Sequence, residues 1–256
     1  MPLYGENMTN VPIVNAGLKY VNGLNLSNDA VAPDTIINIA AGSARDSTNV
    51  NDIVLAAAVD VDGGVVGAGG VDLAVIVLDS LYAVYVIGDS TKYKDAAGIL
   101  SLDHDKPTLP RGYDMWRRVG SVLTDGAADW LLFDQRGMGS DREMWYRASV
   151  ASDITAGASA AYAAVDISGS VPAQATDVNF ACAFTPTAPN DELNLRNGDS
   201  AAAGDSQAVA SGAVAAVVER TMLRCPCSAT AASAVDYKVT GSAVALNVQS
   251  YVDQLA

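Results

Sequence analysis

The chain predicts an all-β protein, with short antiparallel strands arranged in sandwich or jelly-roll-like subdomains. Three observations carry that expectation. Runs of alternating apolar residues recur about every 8–15 residues, a spacing typical of sandwiches and barrels. Gly, Pro, Asn and Asp cluster between the runs, as turns require. No repeat of fixed period is present, which disfavours a propeller or a solenoid.

Residues 1–30 read as an N-terminal arm. The stretch is dense in Asn and Gly, and Pro12 blocks regular pairing. Its apolar patch, Val11-Pro12-Ile13-Val14, suits either an arm that docks on another surface or a first strand tucked into the domain's own core.

Residues 31–150 form a first β subdomain. In "TIINIAAG", Ile37 and Ile39 alternate with Ile36 and Asn38. "DIVLAAAV" follows a polar loop, and "GGVVGAGGVDL" is a Gly-rich connector. "LYAVYVIGD" is a strand buried on both faces, and "AGILSLD" is the next strand. A hairpin is expected from Met115–Leu123 and Trp130–Gln135 across "TDGAAD", with Gly126 supplying positive φ. Alternation places Arg117, Val119, Ser121 and Leu123 on one face, and Trp116, Arg118, Gly120 and Val122 on the other. Neither face is purely apolar, so one is expected to meet solvent or a neighbouring chain. "EMWYRASV" adds a strand.

Near residue 150 the composition shifts to Ala, Ser, Thr and Gly, which suggests a boundary before a second β subdomain, 151–256. "VNFACAFTP" and "ELNLRN" alternate as strands. Residues 207–227 are Ala-rich, which favours helix, but the Val run and strand neighbours favour strand. "AVDYKVTGSAVALNVQSYV" predicts a hairpin turning at Gly241-Ser242.

Half of the 256 residues are apolar but only 6% are aromatic, so the core is built from small side chains that suit close contact between chains. The net charge of −14 argues against nucleic acid and anionic membranes as partners. No window approaches the ~18 apolar residues of a membrane helix, and the first residues lack a signal-peptide pattern. A soluble chain made in the cytosol is expected. Cys182, Cys225 and Cys227 are an odd set, and C-x-C strains a mutual disulfide, so free thiols are expected.

No segment carries a complete catalytic motif, and neither enzyme activity nor a cofactor or metal is expected. In "DHD" (103–105) strand geometry would point His104 away from both carboxylates. "DVDGG" (60–64) lacks the remaining ligands of a calcium loop. "GAGGVD" (67–72) and "GMGSDR" (137–142) start like phosphate loops without finishing the fingerprint. Sugar hydrolysis needs two carboxylates at a set separation, and the many Asp residues single out no pair. Trp116, Trp130 and Trp145, with Arg117 and Arg118, are candidates for interface or glycan contact, although Trp in a hairpin usually packs on a cross-strand neighbour.

Several stretches resemble a group of tailed-bacteriophage virion structural proteins of the tail-fibre-like kind. They are "GLKYVNGLNLSNDAVAPDTIINIAAGSARDSTNVNDI", "LYAVYVIGDS", "PTLPRGYDMWRRVGSVLTDGAADWLLFDQRG" and "VDYKVTGSAVALNV". Cys225-Pro-Cys227 is not a feature of that group. The resemblance implies a non-enzymatic, homotrimeric short tail fibre or tail-attached appendage involved in host adsorption. The protein would be assembled in the host cytoplasm and carried on the virion. Implied partners are its own copies, other phage tail or capsid proteins, and a host surface glycan, with Val11, Pro12, Ile13 and Val14 as virion-attachment candidates. A capsid decoration or head-fibre protein is the alternative. A polysaccharide-binding or depolymerase tailspike is a third reading, but the coil period of ~20–30 residues expected of its β-helix is absent.

Overall fold

A computed structural model describes residues 19–148, 150, 154–200, 206–212, 214–228, 235–241 and 243–255. Val11-Pro12-Ile13-Val14 lies outside the described residues. Among those described there are strands and no helix, so the protein is all-β, as its alternation predicts.

The first six strands are β1 (Val21–Gly23), β2 (Leu26–Asn28), β3 (Ile36–Ile39), β4 (Gly42–Arg45), β5 (Asp52–Leu55) and β6 (Val59–Asp62). They pair antiparallel as β1-β4-β5 and β2-β3-β6. β1 leads directly into β2, β3 into β4 and β5 into β6, so the two sheets are one three-stranded meander bent at a common level. The bend has a local cause. Gly23 and Leu24 both take left-handed φ, 66° and 58°. A Cβ on Gly23 would come within 2.4 Å of the Ala41 carbonyl oxygen. Val21, Leu24 and Leu26 are buried, so this part of the expected N-terminal arm is core strand.

β7 (Leu81–Gly88), β8 (Ala97–Ser101) and β9 (Met115–Leu123) form a sheet in the order β8-β7-β9. β7 is buried on both faces, as expected. Val84, Val86 and Leu100 join the main core under the bent meander, while Ala83, Tyr85, Ile87 and Ile99 form a second cluster on the far face.

The remaining strands are β10 (Phe133–Met138), β11 (Asp141–Tyr146), β12 (Ile154–Gly157), β13 (Ala163–Val165), β14 (Ala175–Phe184), β15 (Glu192–Asn197), β16 (Ala208–Ser211), β17 (Glu219–Pro226), β18 (Val235–Val239) and β19 (Val244–Gln254). β10-β11-β19-β14-β17, with β12 also on β19, make one six-stranded sheet, and β13-β18-β15-β16 make another; β12-β19-β14-β17 face the second sheet. The chain crosses between the sheets at every step except the β15–β16 hairpin. That path is an eight-stranded jelly roll. Phe180, Phe184 and Leu223 of the first sheet share one buried cluster with Leu193, Leu195 and Val239 of the second.

Three expectations need correction. The hairpin expected across residues 115–135 does not form. β9 pairs with β7, only Thr124 bridges Trp130, and β10 forms its hairpin with β11. The apolar edge of β7 buries β9 more fully than the half-polar Phe133–Met138 run would. In the intervening loop the positive φ falls on Ala128 (66°) rather than Gly126, because the Asp125 carboxylate accepts the Ala127 and Asp129 N–H groups and sets the turn.

The alternation along β9 is also broken. Val84 opposes Gly120 and Tyr85 opposes Arg118, so Val119 is the extra residue of a β-bulge. Arg118 therefore shares a face with Ser121, to whose hydroxyl it donates at 3.2 Å.

Near residue 150 the chain passes from β11 to β12, which lie end to end along one edge of β19, and the jelly-roll strands begin at Ile154.

Lastly, β18 and β19 are strands as predicted but not a hairpin. They belong to opposite sheets, and the chain passes between them at Gly241, whose φ is 107°. Residues 207–227 contain β16 and β17, both strands as expected.

Candidate functional site

The Trp- and Arg-rich stretch lies where the bent meander, the β7–β9 sheet and the jelly roll meet. Arg117 and Arg118 leave β9 on opposite faces. Arg117 is buried and donates to the carbonyl oxygens of Arg45 (2.6 Å) and Asp46 (2.7 Å) and to Asn49 Oδ1 (2.9 Å). Burial pushes its guanidinium below the usual range.

Arg118 donates two hydrogen bonds to the Asp253 carboxylate, at 2.9 and 2.6 Å, and Asp253 is fully buried. Arg142, also buried, donates to the carbonyl oxygens of Gly23 and Leu24 and to Gln135 Oε1, which also accepts the Leu26 N–H. Burial pushes the Arg142 guanidinium down to about 10. Arg117 thus holds the loop after β4, Arg118 holds β19, and Arg142 holds the turn between β1 and β2. Sequence reasoning singled out Arg117 and Arg118 for contact with outside partners, but both are buried inside the chain. Arg142 and Asp253 were missed. Asp253 did leave a signal, since it falls between the apolar Tyr251 and Leu255 at spacings of two, and all three are buried.

The three Trp residues have different surroundings. Trp130 is 2% exposed; its indole N–H donates to the Thr35 carbonyl at 3.0 Å, and its ring packs edge-on to Tyr82 at 5.5 Å. It is a core residue of this chain and offers no surface to a glycan. Trp116 is half-buried, with the Lys106 ammonium 5.1 Å from its ring centre, and Trp145 is half-buried beneath Arg136 at 4.8 Å.

Trp116, Arg117, Arg118, Tyr85, His104 and Gln174 border a cleft of about 310 Å³. The His104 Nε2–H donates to the Leu81 carbonyl at 3.2 Å, which leaves Nδ1 as the acceptor. Burial lowers its pKa, so the ring is neutral near pH 7. Neither His104 Nδ1 nor Gln174 Oε1 has a hydrogen-bond partner among the described residues. The Asp103 carboxylate accepts the Asp105 and Lys106 N–H groups, which hold its pKa below the usual carboxylate range. "DHD" is thus a turn, and His104 leans on a main-chain carbonyl instead of a carboxylate. The cleft offers an aromatic face and hydrogen-bonding groups.

The other motifs also have structural roles. Asp62 Oδ1 accepts the Gly64 N–H in "DVDGG", and "GMGSDR" is the β10–β11 turn. The three cysteines are free and buried, and burial pushes each thiol up to about 12, so they stay protonated at neutral pH. Among the described residues no cluster of His, Cys, Asp and Glu could hold a metal ion.

The chain matches no protein-family profile, no curated protein and no solved structure.

Proposed function

We propose that this protein is a non-enzymatic structural component of a tailed-phage virion, working as a homotrimeric short tail fibre or tail-attached appendage in host adsorption. The observation that carries the reading is the jelly roll, β12-β19-β14-β17 packed on β13-β18-β15-β16. This two-sheet architecture recurs in viral capsid and lectin domains. Since one fold hosts many functions, the reading also rests on the resemblance of "YAVYVIGDS" and "PTLPRGYDMWRRVG" to phage virion proteins. Within it, Trp116 is the candidate for stacking on a host sugar, since it is half-buried and lines the cleft.

Mass spectrometry of purified particles, with gold-labelled antibody against this chain, tests the proposal. Label on the tail is the expected result. Label on the shell would favour the capsid-decoration alternative, and particles free of the protein would end the virion reading. Host-cell adsorption by particles carrying Trp116→Ala separates a sugar contact from a packing role: adsorption falls in the first case and is unchanged in the second.

A further inference from the structure

The cleft beside Trp116 has an uneven set of hydrogen-bonding groups. Its strongest donors are turned into the chain. The Arg117 guanidinium donates to the Arg45 and Asp46 carbonyls and to Asn49. That of Arg118 donates to the Asp253 carboxylate, the Ser121 hydroxyl and the Gln254 carbonyl.

The acceptors are left over. The His104 Nε2–H is held by the Leu81 carbonyl, so Nδ1 presents only a lone pair. Gln174 directs its amide nitrogen at Asp105 Oδ1, 3.4 Å away. A carboxylate oxygen can only accept, which fixes the amide orientation and leaves Oε1 as an acceptor. The Tyr85 hydroxyl donates to the Asp103 carbonyl at 2.8 Å, and its oxygen is a third acceptor. His104 Nδ1 and Gln174 Oε1 are buried atoms with no partner among the described residues. Leaving a buried acceptor without a donor is costly, and two beside one cleft point to donors brought from outside. Both residues are half-buried, and the Gln174 side chain is held by one long bond, so a small rotation brings Oε1 to the cleft.

The surrounding charges narrow the class of ligand. Arg117, Arg118 and Lys19 border the cleft with Asp105, while Asp253 pairs with Arg118 and the Asp46 charge acts on Arg117 from behind. A cation would meet two guanidinium groups and an ammonium. An anion would meet Asp105 and lone pairs where it needs donors. A neutral molecule with several hydroxyl groups meets neither obstacle. The cleft volume of about 310 Å³ is at the small end for ligand sites and suits a single ring.

We propose that this cleft binds one ring of a neutral hexose, whose hydroxyl groups donate to His104 Nδ1 and Gln174 Oε1. The inference rests on the reading of Trp116 as a sugar contact and deepens it. It adds the two acceptors that orient the sugar and a preference for uncharged sugars.

Saturation-transfer NMR and fluorescence titration on the full chain test it. The probes are methyl α-D-glucoside, methyl α-D-galactoside and methyl α-D-mannoside, with glucuronate as the charged comparison. At least one neutral glycoside is expected to bind, and glucuronate more weakly. Gln174→Met removes the acceptor from a side chain of similar length. It should bind that glycoside about five- to tenfold more weakly. It should also melt no lower than the wild type, because an unpaired buried acceptor has gone. His104→Phe repeats the test at the other acceptor. No binding by any of the three glycosides, tighter binding of glucuronate, or unchanged affinity in Gln174→Met would each overturn the inference. Absent binding, together with adsorption that falls in Trp116→Ala particles, would remove this inference and leave the sugar-contact reading standing. Binding by the purified chain with adsorption unchanged in those particles would do the reverse.

Discussion

Asp253→Asn tests whether the buried Arg118–Asp253 pair holds β19 against β9. Arg118 reaches Asp253 through two short hydrogen bonds, both side chains are buried, and the strands that carry them, β9 and β19, come from different sheets. Asn keeps one acceptor oxygen but no charge, so Arg118 is left with neutral acceptors: that oxygen, the Ser121 hydroxyl at 3.2 Å and the Gln254 carbonyl at 3.3 Å. Breaking one side of a buried ion pair leaves the other charge uncompensated and costs about 3–5 kcal/mol. For a chain of this size that lowers the melting temperature by about 6–20 °C. Replacing both partners, as Arg118→Met with Asp253→Leu, removes the stranded charge, so the double variant should recover most of the loss. Urea denaturation of the wild type, Asp253→Asn and the double variant measures the effect. An Asp253→Asn cost below about 1 kcal/mol, the size of a surface ion pair, would refute the reasoning.

Three further outcomes follow from the packing. Trp130→Ala removes a core aromatic and should cost about 3–5 kcal/mol in thermal or urea unfolding; full stability with lost host adsorption would instead make Trp130 a contact residue. Gly23→Ala forces a Cβ against the Ala41 carbonyl at positive φ and should cost at least about 1–3 kcal/mol, measured by chemical denaturation. Burial raises the pKa of Asp46, but hydrogen bonds from the Val50 and Asn51 N–H groups and the Thr48 hydroxyl outweigh it and hold the carboxyl below its unfolded value. The stability it contributes is therefore present above about pH 4 and lost as pH falls through the folded pKa; urea midpoints measured against pH should show that part of the acid loss disappear in Asp46→Asn.

Much of the strand pattern was legible in the chain. Ile37 and Ile39, the all-buried β7, Phe180 with Phe184, and Leu193 with Leu195 all face inward as their alternation predicts. Period-two patterning encodes which side of a strand is apolar, and that is a local property. The candidate site was less legible. Trp116, Arg117 and Arg118 do border one cleft, but alternation alone did not reveal that the two arginines bond inward. A polar residue on a half-apolar face reads as exposed until its partner is known, and here the partners, the Asp46 carbonyl and Asp253, lie far away in sequence.

What the sequence determined by itself is therefore the all-β class and the inward side of most strands, because both follow from neighbours two residues apart. Which strand pairs with which was decided only by the tertiary structure. Met115–Leu123 pairs with Leu81–Gly88 rather than with the segment after its turn, and Val235–Val239 and Val244–Gln254 part into opposite sheets. A Gly-containing turn permits a hairpin but equally permits a crossing between sheets. The choice rests on which distant apolar edge buries the strand best and which buried charge finds its counterion. Both are non-local quantities that no window of the sequence contains.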